Sequence, residues 1–475
     1  MIEVSPAMTL LTPLARAFVG LSVILASLAP GSEAAAAPAG RRRGDAPPML
    51  PVPAEAPAAV PEATTVAALE VPANADVLNF ESIVAHARDN APLVQVARAR
   101  VEFGDAAIAG QKPLLPENPT LWLGLGARRN TAGRNFEVQS QLDQRLEVFG
   151  ERRMRIRAAK RYREQLEKEL ALVQWANYAE VHAAYNAAVV AKARATTAAG
   201  LLGFSARLLE ITRRRAQAGE ISELRARVAE GEFAQARQAK IAAELEFRLA
   251  CNRLAEVAGW PKGRVIAPAG DLQVPQKVGE VDGFVARALE EHPVMQAQRA
   301  RVSAAEARLA AAKRDRLPEP SVGGFFSREI EPGVSMTPTV VGLATVTIPF
   351  PLWRRNQAEI AHAKADLEVA RTELGALEYR MGLQIRRAVE SVNTAADRVS
   401  TYARDVVPRF EENLSMLQRA FELGEVDIIE VFVARERFLS IQTEALAAYD
   451  SYFRSIYDFE STAGAPIAGA ASRAP

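Results

Sequence analysis

The chain carries two copies of one sequence pattern, about 200 residues apart. Four pairs of segments keep the same order in both halves. They are APLVQVARARV (residues 91–101) with HPVMQAQRARV (292–302), LPENPTLWLGLGARRN (115–130) with LPEPSVGGFFSREI (317–330), EVFGERR (147–153) with PFPLWRR (349–355), and AQAGEISELRARVAEGE (216–232) with FELGEVDIIEVFVARER (421–437). Self-similarity at a fixed offset indicates a repeated structural unit, so we expect the chain to contain two copies of one structural unit.

Each copy contains two segments with the periodicity of a β-strand. From Phe136 onward, apolar residues such as Val138 and Leu142 fall on one parity and charged or amide residues fall on the other. This alternation predicts strands with one apolar and one polar face. Loops rich in Gly, Asn and Pro between them predict hairpins. The predicted strands are Thr120 to Arg128, Phe136 to about Phe149, Ser321 to Glu329 and Thr339 to Phe350.

A long helix follows each pair of strands. After Gly150 the chain is rich in strong helix formers, and no proline occurs between Pro119 and Pro261. The strand is therefore predicted to pass directly into a helix from Arg152 to about Ala198, about 70 Å long. In the second copy, Leu367, Ala370, Leu374, Leu377 and Met381 have coiled-coil spacing, which predicts helix-on-helix packing.

The strand lengths suggest a membrane. A strand of this length spans the apolar core of a bilayer, where every backbone group needs a partner and only a closed barrel supplies one. Four strands cannot close, because such barrels begin at about eight strands, whereas three copies give twelve. The predicted fold is mainly α, with a transmembrane β-hairpin pair per chain, a long coiled-coil helical barrel and a shared 12-stranded β-barrel in a trimer. A soluble or periplasmic coiled-coil scaffold stays an alternative.

The N-terminus indicates export. Arg16 precedes the apolar run AFVGLSVILASLA and a stretch of small residues, a pattern typical of a signal peptide. A Pro- and Ala-rich segment follows, whose composition predicts a linker. The lone cysteine, Cys251, permits no internal disulfide, and no N-terminal cysteine is available for acylation. The predicted parts are residues 1–37 (signal peptide), 38–76 (linker), 77–270 and 271–464 (the two repeats) and 465–475 (tail).

Motifs for chemistry are absent from the sequence. A net charge of +1 gives no indication of nucleic-acid binding. The four histidines are scattered, the cysteine is alone, and no phosphate loop or nucleophile elbow occurs. We therefore expect no metal site, no cofactor and no enzymatic activity.

The order of these segments resembles the TolC-like outer-membrane efflux channels, from about Leu78 to Gly464. The resemblance rests on the duplicated plan, on TVTIPFPLWRRNQAEIAHAKADLEVA and on VVPRFEENLSMLQRAFELGEVDIIEVFVARERFL. It implies a homotrimeric duct in outer-membrane lipid that crosses the periplasm and meets an adaptor protein and an inner-membrane pump. IPFPLWRRNQAEI is most similar to the heavy-metal cation efflux branch. A type I protein-secretion duct is the alternative within the family.

Candidate site residues follow from the repeat and the resemblance. Hairpin tips that dock the adaptor are predicted near Arg194, Thr196 and Gly200, and again near Arg398 and Ser400, where RVS resembles the family's tip motif. A ring of carboxylates in a pore favours cations. Two acidic residues beside the second tip are therefore candidates for a periplasmic gate. The alternative is that they are solvated charges at a helix end. These residues are Asp397 and Asp405. Two matching glycines, each followed by Glu, are predicted to break the long helices: Gly219 and Gly424.

Overall fold

The structure, a computed structural model, describes residues 74–130, 133–329 and 339–467. The predicted signal peptide, the predicted linker up to residue 73, the hairpin-loop residues 131–132 and 330–338, and residues 468–475 of the predicted tail lie outside the described residues.

The first repeat consists of four helices, one pair of long strands and two short strands. Its elements are β1 (Ala75–Leu78), α1 (Phe80–Asn90), α2 (Pro92–Gly110), β2 (Thr120–Asn130), β3 (Gly133–Arg145), α3 (Glu151–Gln217), α4 (Glu223–Ala258) and β4 (Val265–Pro268). β1 pairs in parallel with β4, so a strand already begins at Ala75 within the predicted linker.

The second repeat has the same order, with one interruption. Its elements are α5 (Val281–Glu291), α6 (Pro293–Arg314), β5 (Ser321–Glu329), β6 (Thr339–Thr347), α7 (Gln357–Thr401), a π-helical turn (Tyr402–Val406), α8 (Val407–Leu423) and α9 (Ile428–Ala463). The π turn precedes Pro408, which has no N–H to donate to a regular helix.

The four longer strands form one antiparallel sheet in the order β2-β3-β5-β6. The bounds predicted for β5 are confirmed, but β3 ends at Arg145 and not near Phe149, and β6 ends at Thr347 and not at Phe350. Pro320 ends the ladder beside β3: its carbonyl accepts from Leu146 N at 2.8 Å, but proline has no N–H to continue the pairing. Pro349 limits β6 in the same way.

The predicted direct passage from strand to helix is wrong. Residues 146–150 separate β3 from α3, and residues 348–356 separate β6 from α7. Each long helix starts after a residue in the left-handed region, Gly150 with φ 84° and Asn356 with φ 58°. In both repeats a short irregular segment that ends in a left-handed residue therefore stands between sheet and helix.

The hairpin turns lie further along the chain than predicted. α3 is continuous from Glu151 to Gln217, so Arg194, Thr196 and Gly200 lie inside a helix and not at a tip. Likewise, Arg398 and Ser400 lie in α7, and the chain stays helical from there to Leu423. Ala, Thr and Ser are compatible with a helix interior, so nothing local stops either helix. The chain reverses at residues 218–222 and 424–427 instead.

Gly219 and Gly424 thus belong to the hairpin turns themselves. Both have positive φ, 76° and 85° respectively. Glu220 N donates to Arg215 O and Glu425 N to Ala420 O, each at 2.9 Å, which closes the helix end in the Schellman pattern. Each long helical stretch ends next to one of these glycines, and each end is a reversal of the chain and not a kink within a continuing helix.

Each repeat has its own apolar core. In the first, Ile83 of α1 and Val181 of α3 meet Leu254 of α4 and Ile266 of β4. In the second, the core joins α5, α6, α7 and α9 through residues such as Met295, Ile385, Val392 and Phe459. The helix packing predicted for the coiled-coil residues of α7 is confirmed, since Leu367, Ala370 and Met381 are buried.

Candidate functional site: an apolar sheet face and two paired hairpin ends

One face of the four-stranded sheet is apolar and exposed. The register places Leu121 beside Leu142, Leu142 beside Gly324, and Gly324 beside Ala344, so all four strands contribute to the same face. Its large side chains are between 41% and 72% exposed: Leu121, Leu123, Leu125, Phe136, Leu142, Val322, Phe326, Val340 and Val346. A contiguous patch of this kind marks a surface that contacts a membrane or another protein.

The opposite face is mixed and mainly polar. Gln139 and Gln141 point to this face, and Gln141 Nε2 donates to Asp143 Oδ2 at 2.7 Å. Trp122 shares it, with its ring over Gly124, where an added Cβ would lie 2.4 Å from the ring. Phe325 is paired with Gln141 and adds a second aromatic ring to the same row. The sheet therefore separates an apolar surface from a hydrogen-bonding one.

Both edges of the sheet are open within the described part of the chain. β2 pairs only with β3, and β6 pairs only with β5. An edge of this kind presents a row of unpaired N–H and C=O groups, which another strand can pair with.

A charge cluster fixes the sheet to the helices. Arg155 near the start of α3 binds Glu147 after β3 at 2.5 Å, Glu319 before β5 at 2.8 Å and Asp315 after α6 at 3.2 Å. Burial raises the pKa of Glu147, while the positive charge of Arg155 acts in the opposite direction. One guanidinium thus joins both repeats where the sheet ends.

The two hairpin ends lie side by side. Arg225 of α4 binds the Asp427 carboxylate, which precedes α9, at 2.5 Å. Arg215 near the end of α3 donates to the Glu422 carbonyl at 3.0 Å, and its guanidinium lies 5.1 Å from the centre of the Phe421 ring.

Beneath these contacts is a small apolar core. Leu208 and Leu209 of α3 and Ala229 of α4 pack against Phe421, Ile428 and Val431 of the second hairpin. Two equivalent apolar pairs stay exposed on the return helices, Leu224 with Val228 and Ile429 with Val433. The ends therefore form one unit with apolar side chains on its surface.

The predicted tip residues make ordinary helix contacts. Arg194 pairs with Glu246 of α4, and Thr196 Oγ1 donates to the Lys192 carbonyl at 3.0 Å, while nothing lies near the position of a Cβ on Gly200. The Arg398 guanidinium lies 6.0 Å from the centre of the Tyr402 ring. Ser400 is half-buried on α7.

The two predicted gate carboxylates lie apart from the turns. Asp397 pairs with Lys277 Nζ at 2.6 Å. Asp405 is exposed in the π turn, nineteen residues before Gly424 and hence about 28 Å from the hairpin end. Sequence reasoning missed Arg215, Arg225 and Asp427; the paired glycines were the signal that marked their neighbourhood.

The described residues include no group of three or more His, Cys, Asp or Glu side chains placed to hold a metal ion. Cys251 is buried, and desolvation raises its pKa to about 12. His182 Nδ1 lies 2.7 Å from the buried Glu460 carboxylate, which joins α3 to α9. Within the described residues, none of the helices has the length and apolar character needed to cross a membrane.

Comparison with known proteins agrees with this architecture. The cobalt-zinc-cadmium resistance protein CzcC of Cupriavidus metallidurans is 25% identical over 310 residues, which cover 64% of this chain and 72% of CzcC. A structure of CusC, described in terms of transmembrane channel formation, superposes with a TM-score of 0.62 at 15% identity, over 83% of this chain and 94% of CusC. The Campylobacter jejuni outer membrane channel CmeC gives 0.63 at 14% identity, over 88% and 94%.

A family model settles the membership. The model described as outer membrane efflux protein matches residues 83–260 and again 284–456, one match in each repeat and most of the chain in total. The chain belongs to the outer membrane efflux protein family.

Proposed function

We propose that three copies of the chain form the exit duct of a tripartite efflux system. The observation that carries this proposal is the sheet with an exposed apolar face and two open edges. Pairing β6 of one copy with β2 of the next satisfies both edges, and three copies give twelve strands, a number that closes a membrane barrel. The apolar face then meets lipid, and the face with Gln139, Gln141 and Asp143 lines the water-filled lumen.

The long helices form the second part of the duct. α3 extends about 100 Å from the sheet, and α7 with α8 runs a similar distance. The hairpin ends therefore form the opening of the duct furthest from the sheet, in the periplasm. Their exposed pairs, Leu224 with Val228 and Ile429 with Val433, are our proposed contact for an adaptor protein that connects the duct to an inner-membrane pump. Conduction is passive, and the pump supplies the energy.

Asp405 keeps a role in this proposal as a carboxylate inside the helical tube. Three copies would form a ring of negative charge that favours cations. Asp397, the other candidate, is paired with Lys277, which compensates the negative charge of Asp397. Asp405→Asn should lower the cation selectivity of the channel in a planar bilayer, while Asp397→Asn should change it less. Equal selectivity in the parent protein and both variants would remove Asp405 from the proposal.

The exported substrate is proposed to be a divalent heavy-metal cation, moved by a pump of the RND type. The support is the sequence similarity to CzcC. Deleting the gene should lower growth on cobalt, zinc or cadmium, with rescue by the plasmid-borne gene. Unchanged metal tolerance with the loss of one secreted protein from the medium would favour the type I secretion duct instead.

The duct itself is tested by native mass spectrometry of protein extracted in detergent from isolated outer membranes. We expect a trimer of the processed chain that conducts ions after reconstitution in a planar bilayer. A monomer or dimer in the soluble fraction would contradict the channel and favour a periplasmic coiled-coil scaffold.

A further inference from the structure

The start of α3 is strongly basic. Residues 151–163 contain seven Lys or Arg side chains and one Glu, whereas the whole chain has a net charge of +1. Four of the seven have partners in the fold: Arg152, Arg155, Arg161 and Arg163. The other three are exposed and bind no carboxylate among residues 74–130, 133–329 and 339–467: Arg153, Arg157 and Lys160. We call these three residues the basic stripe.

The basic stripe occupies one side of α3. Its members are four and three residues apart, which is the spacing of neighbours on a helix surface. Arg155 is two residues from Arg153 and from Arg157, and Tyr162 is two residues from Lys160. Two residues correspond to about 200° around an α-helix, so Arg155 and Tyr162 lie on the side opposite the basic stripe.

The side opposite the basic stripe continues the polar face of the sheet. Arg145 has the same strand parity as Gln141 and binds Glu319 at 3.6 Å. Glu319 in turn binds Arg155 at 2.8 Å. Arg155 therefore lies on the side of the wall that is proposed to line the lumen. The basic stripe consequently points outward, in the same direction as the apolar face of the sheet.

The outward surface changes from apolar to basic where the sheet ends. In the first repeat, Val148 is 55% exposed, and the basic stripe begins five residues later. In the second repeat, Phe350 and Leu352 are 79% and 60% exposed, and the exposed Arg354 follows them. A surface that leaves the hydrocarbon core of a bilayer and enters the layer of negatively charged headgroups has this order of side chains.

The basic stripe also lies at a suitable depth. Arg153 and Lys160 are about 3 Å and about 14 Å from the start of α3. Side chains on a helix lean towards its N-terminus, which here means towards the sheet, and the headgroup layer is about 5 to 8 Å thick. The next residues on the same side of α3 are acidic, Glu164 and Glu167. Positive charge is therefore confined to the part of this side nearest the membrane.

We infer that the basic stripe binds the phosphate groups of anionic phospholipids in the leaflet that faces the periplasm. Arg and Lys form charge-assisted hydrogen bonds with phosphate oxygens, and these three side chains have no competing carboxylate in the described part of the chain. A lipid fits better than a soluble acidic protein, because the apolar surface that adjoins the basic stripe needs hydrocarbon against it. The inference rests on the outer-membrane duct proposed above.

The test is native mass spectrometry of the detergent-solubilised trimer, titrated with phosphatidylglycerol or with phosphatidylethanolamine. The parent protein should bind phosphatidylglycerol more tightly than phosphatidylethanolamine. Arg153→Gln/Arg157→Gln/Lys160→Gln should lose this preference, which is expected to fall about fivefold for each charge removed. Arg157→Gln alone keeps the test decisive if the triple variant does not form a trimer, and its preference should fall about fivefold.

A matched control removes the same charge far from the sheet. Arg207→Gln/Arg237→Gln/Arg248→Gln changes three exposed side chains that bind no carboxylate in the part of the chain that the structure describes. Arg207 is 54 residues from Arg153, about 81 Å along α3. This variant should keep the preference for phosphatidylglycerol. An equal loss in both triple variants would overturn the inference, because total charge would then decide lipid binding.

The remaining outcomes separate the lipid site from the duct. A trimer without any preference for phosphatidylglycerol overturns the lipid site and leaves the duct in place. Displacement of phosphatidylglycerol by an excess of inorganic phosphate would reveal a general anion site and would also overturn the inference. A monomer in the same spectra would overturn the duct as well.

Discussion

Arg225 and Asp427 hold the two hairpin ends together, with Nη2 and Oδ2 2.5 Å apart. Arg225 lies at the start of one return helix and Asp427 directly before the other, 202 residues further along the chain. The pair therefore joins the two repeats at the end furthest from the sheet. Both side chains are partly exposed, which limits what the ion pair contributes to stability.

A double-mutant cycle should measure this contact. Arg225→Gln and Asp427→Asn are expected to show a coupling free energy of about 0.2 to 1 kcal/mol, the range of partly exposed pairs. Asn at position 427 keeps a capping side chain for α9, so the change removes the charge and not the cap. The measurement is urea unfolding of the detergent-solubilised protein. The control is the same cycle on Arg227 and Glu223, an ion pair within α4. If the coupling between Arg225 and Asp427 were equal in 0.5 M salt and in low salt, this would contradict an ionic contact.

The turn glycines should respond differently from a helix glycine. Gly219→Ala has free space for its Cβ but must keep φ near 76°, which costs about 1 to 2 kcal/mol for a residue with a side chain. Gly231→Ala, in α4 with equally free space, should instead stabilise the helix by about 0.5 to 1 kcal/mol. Urea midpoints of the two variants, moving in opposite directions from the parent, are the expected result. A stabilising Gly219→Ala would mean that the chain does not reverse there.

Gly259→Ala should destabilise the protein more than Gly219→Ala. Gly259 also has positive φ, 66°, but here the added Cβ would lie 2.2 Å from the Asn90 carbonyl oxygen. Because that atom belongs to the backbone, it cannot rotate away. Strain and overpacking together predict a loss of about 2 to 4 kcal/mol. The check is the urea midpoint, with Gly219→Ala as the matched variant; equal losses would contradict the close contact between α4 and the start of α2.

Much of the architecture could be predicted from periodicity. The alternation in residues 120–147 and 321–347 gave the strand positions, because side-chain parity is a local property. The hairpin turns could not be placed in this way. The predicted tips, RATTAAG (residues 194–200) and RVSTYARD (residues 398–405), have the small and polar residues of a turn, yet Ala and Thr also continue a helix. A glycine in helical sequence is compatible with a kink as well as with a reversal of the chain.

Contacts between distant parts of the chain accompany the turns at Gly219 and Gly424. Phe421 and Ile428 pack against Leu208 of the other hairpin. No local pattern encodes a contact across 200 residues. The sequence likewise does not show that Val96, Ala99 and Phe103 of α2 are exposed while Ala297, Ala300 and Ala304, the corresponding residues of α6, are buried, because the two helices have similar apolar spacing.

Cys251 should not react in the folded protein. Its thiol is fully buried, and desolvation raises its pKa to about 12, so little reactive thiolate exists at neutral pH. We expect no maleimide labelling of the native protein and complete labelling in urea. Ala99→Cys, at an exposed position on α2, should label in the single chain separated from the trimer, without denaturant. Labelling of the native parent protein would show that α4 separates from β4 and α3 in solution.

His292 should make the stability of the second repeat depend on pH. Its Nδ1 accepts from Val294 N at 3.0 Å, and its Nε2 lies 3.1 Å from the Ser461 carbonyl, which requires a neutral ring protonated on Nε2. Burial lowers the pKa of His292 from its ordinary value of 6.5. A lowered pKa means that the unfolded chain binds the proton more readily, so this contribution is complete above pH 6.5 and is lost as the pH falls through the folded-state pKa.

Thermal unfolding between pH 7.5 and pH 5 checks this expectation. The parent protein should lose stability over that range. His292→Asn, which can still cap α6 but cannot titrate, should show a smaller loss over the same range. Because Gly464 at the end of α9 lies against the imidazole, the variant also leaves space there and should start from a lower stability at pH 7.5. Parallel curves for the two proteins would mean that other groups carry the pH dependence.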